Sequence, residues 1–173
     1  LAYARAARET GGRGECRLKT KTIADLLFAR DILLDLATPG KYELFERIGE
    51  HMEWVHGIRQ RDVFQALAER EHLGSTGMGQ GIAIPHARIK ELDRIRVTYV
   101  RLLPAIDFNA PDGKPVTDVL VILVPKQATD DHLQILSDTS QIFSDPRFRE
   151  RLHRCKDSAE VKLLFDVWPE TLS

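Results

Sequence analysis

Apolar positions along the chain alternate between helical and extended spacing, and the changes of period lay out its elements. Thr22, with Asp25 three positions on, resembles a capping pair that opens a short helical turn through Leu26 and Leu27. Ile32, Leu34 and Leu36 then alternate with Leu33 and Asp35, which predicts a strand, and Pro39-Gly40 punctuates it. From Lys41 to His56 the apolar residues Leu44, Phe45, Ile48, Met52 and Val55 follow helical spacing, and Gly57 ends the run. A second helix is predicted from Arg61 to His72, burying Val63, Phe64 and Leu67. Ile82-Ala83-Ile84 is a brief strand. Ile95, Val97 and Tyr99 alternate with polar neighbours as a half-buried strand, whereas Val119 to Val124 is apolar throughout, as a central strand covered on both faces would be. Asp112-Gly113 between them marks a turn or hairpin. A helix from Thr129 to Phe143 follows, then two short ones opened by Asp145-Pro146 and Ser158. The order is α-β-α-α-β-β-β-α-α-α, which suits an α/β (α+β-like) fold with a mixed sheet and helices on both faces.

No repeat or linker follows residue 21, so residues 21–169 are expected to form a single domain. Residues 1–20 are rich in Arg, Ala and Gly, lack an apolar face and do not begin with Met; they are expected to be a disordered tail or tag. Six basic side chains against two acidic ones fall in the first 21 residues, which leaves the rest mildly acidic within a net charge of −1. That balance does not suit a nucleic-acid binder. No apolar run reaches membrane-spanning length, no signal peptide is evident, and Cys16 and Cys155 show neither a disulfide framework nor metal-ligand spacing. The expectation is a cytoplasmic protein without membrane insertion, metal or cofactor.

Gly74, Gly77, Gly79 and Gly81 lie within eight residues. Such spacing makes a poor helix and predicts a loop with available backbone N–H groups, although tight-turn geometry alone would also account for it. Pro85 stops the strand after that loop, so His86 is expected at a strand terminus beside those N–H groups. That setting suits a histidine that meets an anion, and His86 is read as the carrier of a phosphoryl group. The loop is not a nucleotide cradle. No Lys follows its glycines as a Walker loop requires, and a helix precedes and a strand follows, the reverse of a dinucleotide fingerprint. His132 falls in the first turn of its predicted helix, where the N-terminus attracts anions and keeps an imidazole neutral; it is equally consistent with a surface residue. Arg70, one turn before the glycines, either complements its helix C-terminus, the commoner use, or clamps phosphate oxygens. His51, His56, His72 and His153 lack ligand spacing and read as surface residues, and Cys155 as packing.

The stretch GSTGMGQGIAIPHAR, the Asp-Gly turn, the strand VLVILVP and a helix opening DDHL resemble the IIA phosphocarrier domains of the fructose/mannitol class of the bacterial sugar phosphotransferase system. The motif Ser75 to His86 is most similar to the nitrogen-regulatory type. The resemblance spans about residues 22–168 and implies a mixed, mostly five-stranded sheet sandwiched by helices. It also implies phosphorylation of His86 on Nε2, with His132 as second active-site histidine and Arg70 beside the phosphoryl group. Ser75, Thr76, Gly77, Gly79 and Gly81 would then be the phosphate-binding loop. The implied donor is an HPr-like phosphohistidine protein, and the implied role is either regulation of target proteins or delivery to a sugar-specific IIB domain. Regulation is favoured, because fused IIB and IIC domains are absent from this chain and the motif is of the nitrogen type. A two-histidine hydrolase would need an acidic third member or a metal, which the motif does not supply.

Overall fold

A computed structural model describes residues 21–127 and 131–168. The expected tail, residues 1–20, the expected helix cap at Thr129 and the boundary at residue 169 lie outside the described residues. Six helices and six strands follow in order: α1 (Ile23–Leu26), β1 (Ile32–Leu36), α2 (Lys41–His56), α3 (Gln60–Leu73), β2 (Gly77–Gly79), β3 (Ile82–Ala83), β4 (His86–Ile89), β5 (Arg96–Ile106), β6 (Val116–Pro125), α4 (Asp131–Ser144), α5 (Pro146–Arg154) and α6 (Ser158–Val167). A 3-10 turn, Ala29–Asp31, leads into β1. The strands form one mixed sheet in the order β1-β5-β6-β3-β2, with β4 also paired to β6. Parallel pairs join β1 to β5 and both β3 and β4 to β6, whereas β5–β6 and β2–β3 are antiparallel.

β6 is the central strand, as its unbroken apolar run predicts. Its side chains alternate between two cores. Val119, Val121 and Leu123 face α2 and α3, with Leu44, Phe45, Ile48, Met52 and Leu67. Leu120, Ile122 and Val124 face the other layer, with Ile135, Phe143, Phe148 and Phe165. Each such aliphatic side chain, once fully buried, stabilises the fold by roughly 1.5–3 kcal/mol. β5 differs from expectation. Val97, Thr98, Tyr99 and Val100 are all buried, because β5 lies between β1 and β6 with helices over both faces; alternation with polar residues does not make it half-buried. The Asp112-Gly113 turn does join an antiparallel pair, β5 and β6.

Helix ends follow the sequence at most points. Thr22 and Asp25 form a reciprocal capping box, and Asp145 caps α5 with Pro146 in its first turn. The cap of α6 is Asp157, which accepts from Glu160 N–H at 2.9 Å, and Ser158 is the first helical residue. Two of the six strands, β2 and β4, are absent from the order read in the sequence, and β2 comes from the glycine stretch. Gly77–Gly79 is not open loop but the outer strand of a hairpin with β3, turned at Gln80-Gly81 with φ of 56° and 80°. Two consecutive positive φ values are the signature of a tight hairpin turn, and glycine adopts the second without strain. The turn is tied down by the Gln80 N–H, which donates to Asp112 Oδ2 at 2.7 Å.

Candidate functional site

Two short strands pair in parallel with the same side of β6, β3 against Asp118 and Val119 and β4 against Ile122 to Pro125. Pro85 sits between them and lacks an N–H, but its carbonyl accepts from Ile122 N–H at 2.9 Å. His86 therefore opens a new strand in register with Ile122; it does not trail from the end of an old one. His86 and Arg88 share one face of β4, while Ala87 and Ile89 turn into the core on the α2–α3 side.

The ring of His86 is half-buried, and its two nitrogens have distinct partners. Arg70 Nε lies 3.4 Å from His86 Nε2, and Nδ1 lies 2.9 Å from the Ile84 carbonyl. A guanidinium can only donate and a carbonyl can only accept. Nδ1 therefore carries the proton and Nε2 presents its lone pair. Burial is the main reason that the pKa of His86 falls below the ordinary histidine value, with the positive charge of Arg70 adding to it against the opposing effect of the Ile84 hydrogen bond. At neutral pH the ring is neutral, with a fixed tautomer and a lone pair available on Nε2.

Arg70, His86 and His132 line one open cavity of ≈ 990 Å³, so the three histidine and arginine positions singled out in the sequence come together. Arg70 Nη1 donates to Gly74 O at 2.9 Å, closing the C-terminus of α3, while Nε faces His86. His132 stands in the first turn of α4, with Arg88 Nη2 at 3.5 Å from its Nε2. Arg88 also donates to Lys126 O at 3.2 Å, bracing the end of β6. Exposed Leu73, Tyr42 and Leu133 give the cavity an apolar rim.

The glycine stretch contributes differently from expectation. Ser75, Thr76, Gly77, Gly79 and Gly81 do not line this cavity. Thr76 N–H and Oγ1 donate to Glu71 Oε2 at 3.0 and 2.6 Å, and Gly77 N–H donates to Ser75 Oγ at 3.0 Å, so these donors are committed to the hairpin. A Cβ at Gly77 would stand 3.0 Å from that of Ala110, so the stretch is packed closely against the β5–β6 connection. Glu71 itself is buried and ion-paired to Lys41 at 3.1 Å, and Lys41 also donates to Asn109. Sequence reasoning missed Glu71 and Arg88. Glu71 carries no local signal, but Arg88 could have been found, since residues two apart on a strand share a face.

The histidines read as surface residues do not all lie there. His72 is exposed on the cavity wall. His51 and His56, by contrast, have side chains only 12% and 3% exposed, both directed at the buried Asp31. His153, about half exposed, reaches the buried Asp118 at 2.7 Å, where Tyr99 also donates. No helix among the described residues is long and apolar enough to cross a membrane.

Comparison with known proteins agrees with this architecture. A family model described as the phosphoenolpyruvate-dependent sugar phosphotransferase system, EIIA 2, matches residues 25–166. A nitrogen regulatory protein of Bradyrhizobium diazoefficiens is 32% identical over 149 residues, 86% of this chain and 97% of that protein. The fructose-specific EIIA component of a phosphotransferase system from Haloferax volcanii is 40% identical over 106 residues, 61% of this chain and 69% of that protein. Among solved structures, the nitrogen regulatory protein IIA-Ntr of Neisseria meningitidis superimposes with a TM-score of 0.78 at 38% identity, covering 83% of this chain and 98% of the other.

Proposed function

The chain belongs to the EIIA 2 family of the phosphoenolpyruvate-dependent sugar phosphotransferase system, and from that membership we propose that His86 accepts a phosphoryl group on Nε2 from an HPr-like phosphohistidine donor and signals through its phosphorylation state. The observation that supports this most directly is the fixed tautomer: Nδ1–H is held by Ile84 O, and Nε2 faces a guanidinium in an open cavity.

The step balances without an external base. The lone pair of His86 Nε2 forms the new P–N bond as the donor's P–N bond breaks and its electron pair returns to the donor ring. Positive charge develops on the His86 imidazole, and the Ile84 carbonyl stabilises it through Nδ1–H. Arg70 and His132 meet the negative charge on the phosphoryl oxygens. Because one imidazole nitrogen replaces another, the transfer is close to thermoneutral and runs both ways. Ser75, Thr76, Gly77, Gly79 and Gly81 serve as the hairpin that fixes Ile84 and His86; Ile84 N–H donates to Thr76 O at 3.0 Å. The apolar rim suits docking of a protein donor over that of a small free phosphate.

Regulation is the reading that the nitrogen regulatory relatives favour, and the targets would be proteins that distinguish free from phosphorylated His86. The fructose-specific relative favours a second one, a sugar-specific IIA carrier that hands the phosphoryl group to a IIB domain. Incubation with phosphoenolpyruvate, enzyme I and an HPr-type protein should add one phosphate, labile in acid and stable in base, that is absent in His86→Ala. Label that persists in this variant overturns the assignment. Discharge of the labelled protein by a purified IIB domain would support the carrier reading over the regulatory one.

A further inference from the structure

Away from the His86 cavity, one buried carboxylate collects two imidazoles. Asp31 ends the 3-10 turn ahead of β1 with its side chain 3% exposed, and His51 and His56 reach it from the last two turns of α2. His51 Nε2 lies 3.0 Å and His56 Nε2 2.7 Å from the same oxygen, Asp31 Oδ1. All three donor atoms fall within 4.8 Å of one another. The rings meet edge to face, with centroids 6.4 Å apart at 77°, so they converge on the carboxylate without stacking on each other.

A tie between the turn and α2 needs only one hydrogen bond. Two imidazoles on a single, mostly buried carboxylate oxygen make a redundant tie but a suitable ligand set. We propose that Asp31, His51 and His56 bind a divalent transition-metal ion of the zinc type, with water as fourth ligand. Two imidazole nitrogens and one carboxylate oxygen are the borderline N/O donors that zinc and its neighbours accept in tetrahedral sites. With bonds of about 2.0–2.2 Å, ligand atoms of such a site stand about 3.3–3.5 Å apart. Side-chain rotation that spreads the measured contacts by a few tenths of an ångström would admit the ion. Both rings keep one proton, which moves from Nε2 to Nδ1 when Nε2 becomes a ligand. Occupancy would clamp the C-terminal turns of α2 to the entry of β1. Since α2 packs beside α3, which carries Arg70, the site bears on the framework of the cavity and not on its chemistry.

The test uses the full chain without a histidine tag. Co²⁺ titration should develop the strong visible absorption of a four-coordinate ion, saturate at one equivalent and be displaced by Zn²⁺. Two-dimensional spectra of the histidine ring nitrogens, recorded on wild type during Zn²⁺ addition, should show Nε2 of His51 and His56 shifting together. His51→Gln and His56→Gln should each weaken binding by more than the roughly 10- to 100-fold that losing a residue which merely supports a ligand costs. Circular dichroism checks that both variants fold. The wild-type nitrogen spectra decide the matter even if they do not. Absence of the Co²⁺ band, or Zn²⁺ shifts at other histidines while those of His51 and His56 stay still, overturns the proposal.

Discussion

Replacing Arg70 by alanine separates the two tasks that its guanidinium performs. Nη1 closes the last turn of α3 through Gly74 O at 2.9 Å, and Nε approaches His86 Nε2 to 3.4 Å. The first contact is an ordinary hydrogen bond at an exposed helix end, worth at most about 0.5–1.5 kcal/mol. At about 2–4 °C per kcal/mol for a domain of this size, the melting temperature should fall by only a few degrees. On the proposed function, the second contact stands where the phosphoryl oxygens lie once Nε2 is bonded to phosphorus. Loss of one such pre-placed donor typically costs about 2.7–4 kcal/mol in the transition state, or roughly 100- to 1000-fold in rate. Arg70→Ala should therefore remain folded and yet accept phosphate two to three orders of magnitude more slowly, measured by rapid quench against an HPr-type donor. The variant should also lift the titration midpoint of His86, because the Arg70 charge helps to depress it; burial, the larger cause, keeps it below the ordinary value. Arg70→Lys should recover part of the rate, since one ammonium cannot hold Gly74 and the phosphoryl group as a fork does. A rate within a factor of a few of wild type, together with an unmoved His86 titration, would reduce Arg70 to a helix-end residue.

Phosphoryl acceptance should be flat from pH 8 through the ordinary histidine value of 6.5 and decline only below the lower folded midpoint of His86; a decline already complete at 6.5 would contradict the tautomer argument. The same depression makes the contribution of His86 to stability full above 6.5 and lost as pH falls toward and through the folded midpoint, since there the unfolded chain takes up the proton first, and His86→Gln should remove that share of the pH slope in calorimetry. Glu71→Gln breaks a pair in which Glu71 is fully buried and Lys41 is 14% exposed and also held by Asn109, so the cost should sit near the low end of the range for buried pairs, about 3 kcal/mol, and lower the melting temperature by about 6–12 °C; an unchanged melting curve would show that the pair does not anchor the hairpin.

The parts legible in the sequence were those encoded locally. The apolar run Val119 to Val124 announced the central strand, and the spacing from Leu44 to Met52 gave α2 to the residue. His86 stood out through its glycines and Pro85, and Arg70 and His132 through their places at helix ends. The resemblance to a family then joined the three. What escaped was set by tertiary pairing. The hairpin form of Gly77–Ala83 depends on β3 finding β6, and the N–H groups of Thr76 and Gln80 are engaged by Glu71 and Asp112, the latter more than thirty residues from its donor. His51 and His56 are five apart on α2, a spacing that suggests no shared face, and only Asp31, 20 and 25 residues upstream, brings their rings together. Long β5 gave an alternating pattern typical of a solvent-facing strand, yet two helical layers cover it.

A phosphocarrier must hold its nucleophile still while admitting more than one partner, and the fold divides these demands between two sets of residues. His86 is in register with Ile122, which is fully buried, and its carbonyl partner Ile84 is anchored to Thr76. Nε2 is thus placed by the most buried strand of the molecule, where packed interiors leave little freedom of position. The rim is the opposite. Leu73 is 84% and Leu133 58% exposed, on the end of α3 and the start of α4, and neither takes part in the hydrogen bonds around His86. Exposed apolar side chains on element ends can meet partners of different shape without moving the atoms that react. On the proposed function, substitutions at Leu73 and Leu133 act on which proteins exchange phosphate with this chain, whereas those at Ile84 or Ile122 act on the rate with all of them.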